Sequence, residues 1–248
     1  MNTMILKKMQ VTVPQTACWL IFFNISFAGS QAQDTSKYGV PLIRQDKLYI
    51  ESCRLSSDKQ MIELKSLIPD IQYDLRYASS NNFTHRPLYP TTTRKTFMRK
   101  PAATALARAQ EELRKKGFGI LVFDAYRPYG VTEQFWELIH DERYVVHPAK
   151  GSGHNRGLAI DLTLIDLRTA KELAMGTGFD NFTDTAHATF TQLPEPILQN
   201  RQLLRETLMK NGFEPFATEW WHFAWPNNQG YEVLDLSFDQ LQRIVQKP

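Results

Sequence analysis

Near the carboxyl end, EWWHF (Glu219–Phe223) places a carboxylate and an imidazole three residues apart inside an aromatic run. Upstream, GSGHNRGLAIDL carries His154 in a glycine-flanked loop, seven residues before Asp161, whose side chain projects from an apolar stretch. An unpaired buried charge is very costly, so Asp161 needs either an arginine or a cation. His222 poses the same difficulty in a second apolar segment, and one cation between the two relieves both. Two imidazoles and a carboxylate match the ligand set of a catalytic zinc site whose fourth position is left to water, although the same donors admit other divalent ions. Glu219 would then be placed to take a proton from that water and hand it to a leaving amine. One helical turn over EWWH puts Glu219 and His222 on one face, whereas an extended chain points them apart unless it turns at Glu219. The sequence leaves both open, and core packing accounts for at least one of Trp220 and Trp221.

Arg127 is a further oddity, a permanent charge at the end of the apolar run GILVFDAYRP. A buried pair with Asp124 or another acid is one reading. The other is a guanidinium aimed at the oxygen that gains charge when water attacks a carbonyl. Spacing alone weighs these about equally. His85, His140, His147 and His187 have polar surroundings that assign them to the surface or to local hydrogen bonds, and Cys53 reads as small apolar filler.

These groups need a scaffold. IQYDLRY (71–77) alternates with period two and reads as a strand, followed by the polar loop SSNNFTHRPLYPTTTRK. From Pro101, helical spacing of Leu106, Gln110 and Leu113 ends at Lys115-Lys116-Gly117, which predicts a helix. GILVFDAY predicts a buried strand ended by Pro128, and Val131 to His140 a helix with Phe135, Leu138 and Ile139 on one side. LAIDLTLID predicts a strand with Ile160, Leu162 and Leu164 opposite Ala159, Asp161 and Thr163. Pro194 to Asn211, closed by Gly212, predicts another helix, and TEWWHFAW a returning strand. Strands and helices interleave without a regular repeat. That favours an α+β domain with a mixed or antiparallel sheet and packed helices over a doubly wound parallel sheet.

The first 32 residues read differently from the rest. Lys7 and Lys8 precede an apolar stretch, Ala17 to Ala28, too short to span a bilayer comfortably, and Ser30-Gln31-Ala32 fits a cleavage site. Residues 1–32 are therefore expected to be a signal peptide, Cys18 being poorly placed for lipidation, and residues 33–248 the exported domain. An uncleaved anchor would export that domain equally. The remaining 216 residues suit one core. Their 27 basic and 26 acidic residues nearly balance, which gives no reason to expect nucleic acid. Cys53 is the one cysteine beyond the leader, so an intramolecular disulfide is impossible there and stability must come from packing.

SGHNRGLAIDLTL resembles the S-x-H-x-x-G-x-A-x-D signature, and EWWHF the E-x-x-H signature, of the zinc D-alanyl-D-alanine dipeptidases, relatives of the zinc D,D-carboxypeptidases and of the Hedgehog signalling domain. DLRYASSNNF, VFDAYRP and MGTGFD extend the likeness from about Tyr73 to Trp225, while THRPLYPTTTRK and the tail after Trp225 carry no matching pattern. The resemblance implies an α+β Hedgehog/D,D-peptidase-like fold and one zinc ion per chain held by His154, Asp161 and His222. It implies Glu219 as catalytic base, Arg127 as transition-state stabiliser, and Ser152 and Asp180 as residues that hold the substrate's ammonium group. The expected activity is hydrolysis of the small molecule D-Ala-D-Ala to two D-alanines in cell-wall peptide metabolism, in the periplasm or cell envelope and without stable membrane insertion. The alternatives are a D,D-carboxypeptidase or endopeptidase on peptidoglycan stem peptides, and a non-catalytic zinc-binding module. Glu219 and Arg127 argue against the last, which needs neither.

Overall fold

The alternating and apolar runs read from the sequence supply the strands of one central sheet in the computed structural model of the protein, which describes residues 34–246. The expected signal peptide lies outside the described residues. In chain order the elements are β1 (Asp34–Thr35), β2 (Pro41–Ile43), α1 (Asp46–Leu55), β3 (Met61–Glu63), α2 (Leu64–Leu67), β4 (Gln72–Tyr73), β5 (Phe97–Arg99) and α3 (Lys100–Arg114). They continue as β6 (Phe118–Asp124), α4 (Tyr129–Leu138), β7 (Ala159–Asp166), β8 (Lys171–Glu172), α5 (Glu195–Lys210), β9 (Glu214–Pro215), β10 (His222–Ala224), β11 (Val233–Leu234) and α6 (Phe238–Val245).

The central sheet runs β4-β6-β7-β10-β9, with β8 added beside β7. Only β4 and β6 are parallel; the other pairings are antiparallel, giving the mixed sheet of an α+β fold. Two small sheets, β1-β2-β11 and β3-β5, complete the described strands.

α3 starts where Pro101 costs no hydrogen bond and ends at Arg114, and the turn after it closes at Gly117, whose φ of +85° suits a residue without a Cβ. Its Leu106, Ala109 and Leu113 join Leu204 and Leu208 of α5 in one core with Ile160, Leu162 and Leu164 of β7. The polar Gln110 is fully buried yet satisfied: its amide donates to Asp70, and its carbonyl oxygen accepts from the Ile120 amide at the start of β6. β7 is covered on both faces, so Asp161 is withdrawn from water by the sheet's architecture.

Three local expectations are corrected. IQYDLRY forms a strand only at Gln72–Tyr73; the chain then enters a 3-10 turn over Arg76–Ala78 that withdraws Tyr77 into an aromatic cluster with Phe83, Tyr89 and Phe135. TEWWHFAW is extended only from His222, because a turn precedes it. In α4, Phe135 is buried but Leu138 is 45% exposed and Ile139 has left the helix, so the inward side is made by Val131, Thr132 and Phe135 instead.

Candidate active site

β7 and β10 pair in register with His222 opposite Asp161, so the two polar residues of these apolar strands face each other. His222 Nδ1 lies 2.8 Å from Asp161 Oδ1. His154 arrives from another direction, on a 3-10 turn over His154–Arg156 closed by Gly157 at φ +69°. A Cβ on Gly157 would come within 2.6 Å of the Met61 side chain, so glycine is needed both for the backbone and for the close approach. The His154 Nδ1 sits 2.7 Å from the carbonyl of Ala125. A carbonyl can only accept, so Nδ1 carries the proton and Nε2 keeps its lone pair. That Nε2 is 3.3 Å from His222 Nδ1 and 3.4 Å from Asp161 Oδ2. One donor atom from each of the three residues lies within 4.8 Å of the others.

Glu219 and His222 are joined by a turn in which the His222 amide donates to the Glu219 carbonyl at 3.3 Å. This is the arrangement in which the two side chains share a side, and Glu219 Oε2 is 3.8 Å from His222 Nδ1. Burial pushes the Glu219 carboxyl up to about 7; His222 opposes the shift and the negative charge of Asp161 adds to it. For Asp161, burial acts upward but His154 and His222 together outweigh it, holding the carboxyl well below its usual range.

Arg127 makes the buried pair with Asp124 and also borders the cavity. Its Nε and Nη2 donate to Asp124 Oδ2 at 2.9 and 2.7 Å, while the guanidinium also lines the cavity beside the histidines. Phe135 and Tyr77 lie against it, with ring centroids 4.6 and 5.3 Å from its central carbon.

Ser152 and Asp180 line the same cavity, whose volume is about 280 Å³. Asp180 adopts a left-handed backbone, φ +58°, and accepts from the Tyr77 hydroxyl at 3.0 Å and the Phe83 amide at 3.5 Å. Burial pushes its carboxyl up to about 8, Asp161 adds to the rise, and the Tyr77 hydrogen bond works against it. Ser152 Oγ accepts from the Asn155 amide, and Asn155 Oδ1 accepts from the Ser152 amide in return. The fully buried Asn155 also donates to the Arg127 carbonyl at 2.9 Å, tying the His154 loop to the arginine.

All seven residues singled out from the sequence therefore border one cavity. Sequence reasoning missed Tyr77, Phe83, Tyr89 and Asn155. Asn155 lies inside GSGHNRG, and Tyr77 and Phe83 inside DLRYASSNNF, so all three could have been flagged by adjacency, but Tyr89 belongs to a stretch whose role only tertiary packing reveals. His85 and His140 are exposed, His147 caps a turn by accepting from the Ala149 amide, and His187 lies 3.8 Å from Asp184. None of these four belongs to the three-residue donor group.

The donor set fits a divalent cation. Its two imidazoles and carboxylate suit zinc, the Nδ1 hydrogen bond of His154 turns its Nε2 toward the other two donors, and the carboxyls of Asp161, Asp180 and Glu219 border the same cavity.

The D-alanyl-D-alanine dipeptidase of Escherichia coli (strain K12) is 34% identical to this chain over 180 residues, covering 73% of this chain and 92% of that protein. The D-alanyl-D-alanine dipeptidase of Streptomyces coelicolor (strain ATCC BAA-471 / A3(2) / M145) is 33% identical over 179 residues, 64% of this chain and 87% of that protein. A solved structure of the LdcB LD-carboxypeptidase, 18% identical, covers 76% of this chain and 79% of its own with a TM-score of 0.39. The Peptidase_M15 family, described as D-ala-D-ala dipeptidase, matches residues 57–243, a span that holds every residue of the cavity just described. By that match and by its identity to the E. coli protein, this chain belongs to the D-Ala-D-Ala dipeptidase family.

Proposed function

We propose that this protein hydrolyses D-alanyl-D-alanine to two molecules of D-alanine, with one zinc ion per chain held by His154, Asp161 and His222. The observation that carries the reading is the convergence of those three donors beside a largely covered Glu219, in a cavity that Asp180 also lines. Zinc held there supplies Lewis acidity for the scissile carbonyl and for the attacking water.

Glu219 takes the proton of the attacking water and then gives it to the departing D-alanine nitrogen. A carboxyl raised to about 7 is close to the working pH and can serve in both directions. Asp124 engages only Nε and Nη2 of Arg127, so Nη1 is left to meet the oxygen on which negative charge develops. Asp180, supported by Ser152, receives the substrate's ammonium group. A longer or acylated substrate has no cation to place there, and Asp180 would keep only its hydrogen bonds from Tyr77 and Phe83, with no positive charge to offset its own. This favours the free dipeptide over a peptidoglycan stem.

We also infer export to the periplasm or cell envelope, with residues 1–32 acting as a signal peptide and 33–248 as the dipeptidase domain. The charge and apolar pattern of the leader supports this. Among the described residues no helix is long and apolar enough to cross a membrane. The decisive assay measures zinc content together with turnover of D-Ala-D-Ala and of an N-acylated D-Ala-D-Ala tripeptide. Release of D-alanine from the free dipeptide alone is expected; preferential cleavage of the acylated peptide would make the protein a D,D-carboxypeptidase, and zinc without any turnover a binding module.

A further inference from the structure

The pairing of β6 with β7 contains an irregularity that bears on the charges of the site. Val122 is opposite Leu162, but Asp124 is opposite Asp161, so Phe123 is bulged out and two buried carboxylates become cross-strand neighbours. Like charges placed opposite each other on adjacent strands repel. The guanidinium of Arg127 lies between them, 2.7 Å from Asp124 Oδ2 and 3.7 Å from Asp161 Oδ2 through the same Nη2. Its backbone is pinned, because the Arg127 amide donates to the His154 carbonyl and its own carbonyl accepts from Asn155. Only the side chain can move, and a small swing would exchange one carboxylate for the other.

Asp124 is held to its side of this contest from behind. The Tyr89 hydroxyl donates to Asp124 Oδ1 at 2.7 Å, so the two carboxylate oxygens have separate partners and the plane of the group is fixed. Tyr89 comes from THRPLYPTTTRK, in which the sequence offers no motif; this contact gives that stretch a role at the site. Phe135 and Tyr77 flank the guanidinium and narrow its path.

We infer that Asp124, fixed by Tyr89, is a positioning residue that withholds Arg127 from Asp161 and thereby keeps Asp161 available as a metal ligand. Asp124 so acts on metal retention as well as on the placement of the arginine. This rests on the roles proposed above for Arg127 and Asp161.

The test is a double-mutant cycle on zinc affinity, measured by competition between the metal-stripped protein and a chromogenic chelator, with no turnover involved. Asp124→Asn keeps the shape and removes the charge; it is expected to weaken zinc binding about tenfold, the lower end of what loss of an outer partner costs a metal site. Arg127→Met alone is expected to change affinity by no more than about twofold, and Asp124→Asn with Arg127→Met to return to within about twofold of wild type. If Asp124 instead helped zinc only through its own negative charge, Arg127→Met would raise affinity by the same factor in both backgrounds. That absence of coupling, or an Asp124→Asn protein with wild-type affinity, would overturn the inference. Thermal melting reports whether each variant folds; if Asp124→Asn does not, Tyr89→Phe with and without Arg127→Met repeats the cycle, and lack of coupling there is equally fatal. Because the readout is affinity, a wild type that binds zinc but releases no D-alanine bears on the dipeptidase reading alone.

Discussion

Glu219 and His222 emerge from the same side of one tight turn, the amide of the second hydrogen-bonded to the carbonyl of the first and the side chains 3.8 Å apart. The proton carrier proposed for the reaction thereby sits beside a proposed metal donor without being one of the three converging donors. Glu219→Gln preserves the shape of the side chain and removes its basicity. Turnover of D-Ala-D-Ala should fall by about 10²–10⁴-fold while zinc content stays at one per chain, read by elemental analysis beside the kinetic assay. Wild-type activity in this variant would remove Glu219 from the reaction.

Asp180 should govern the preference for a free amine. An ammonium binds the ionised carboxylate, and burial pushes this carboxyl up to about 8. KM for the dipeptide should therefore fall as pH rises toward that value, since the unprotonated fraction grows. Asp180→Asn should raise KM by about tenfold or more, flatten this limb of the profile and narrow the discrimination against acylated substrates.

Arg127 is expected to act in the transition state. Arg127→Met should reduce kcat by about 10²–10³-fold with a smaller change in KM, the pattern expected when an oxyanion partner is lost. A change confined to KM would reassign the guanidinium to ground-state binding.

Removing the metal should cost stability as well as activity. With a chelator present, the carboxyls of Asp161, Asp180 and Glu219 are left around the cavity without the cation, and the melting temperature should fall and recover when zinc is restored. At a free zinc concentration of one hundred times Kd the linkage is worth about 2.7 kcal/mol. A melting curve insensitive to chelator and zinc would argue against the metal site.

Away from the site, Glu232 predicts an acid limb of stability. Burial acts to raise its carboxyl, but hydrogen bonds from Lys59 and Ser52, with the charge of Arg99 nearby, outweigh it and leave the group below its usual range. A depressed folded value means that the stabilisation is fully present above the unfolded carboxyl range and is lost as pH falls through the folded value. Glu232→Gln should lower stability at neutral pH and lessen its decline in acid, as followed by denaturant unfolding across pH.

Much of this arrangement is legible in the sequence because burying a charge is expensive. Asp161 and His222 stand out as polar residues in apolar strands, and the requirement that each find a partner predicts their meeting. α3 and α5 follow from periodicity, Pro101, Gly117 and Gly212. What is not legible depends on contacts distant in sequence. Tyr77 leaves its strand because its ring packs with Phe83 and Phe135 and its hydroxyl reaches Asp180, 103 residues away. The bulge at Phe123 decides that Asp124 faces Asp161, and no pattern in GILVFDAY announces it. The turn at Glu219 was one of two open conformations, resolved by the pairing of β10 with β7.

The in-register crossing of β7 and β10 has one more consequence. Side chains alternate between the two surfaces of a sheet, so sliding β10 by a single residue would bring Phe223 round to the ligand side and bury the imidazole among hydrocarbon. A mispaired chain could keep its hydrophobic content yet have no grip on an ion. During folding, the cation would act as a proofreader of strand alignment, rewarding one pairing and ignoring its neighbours.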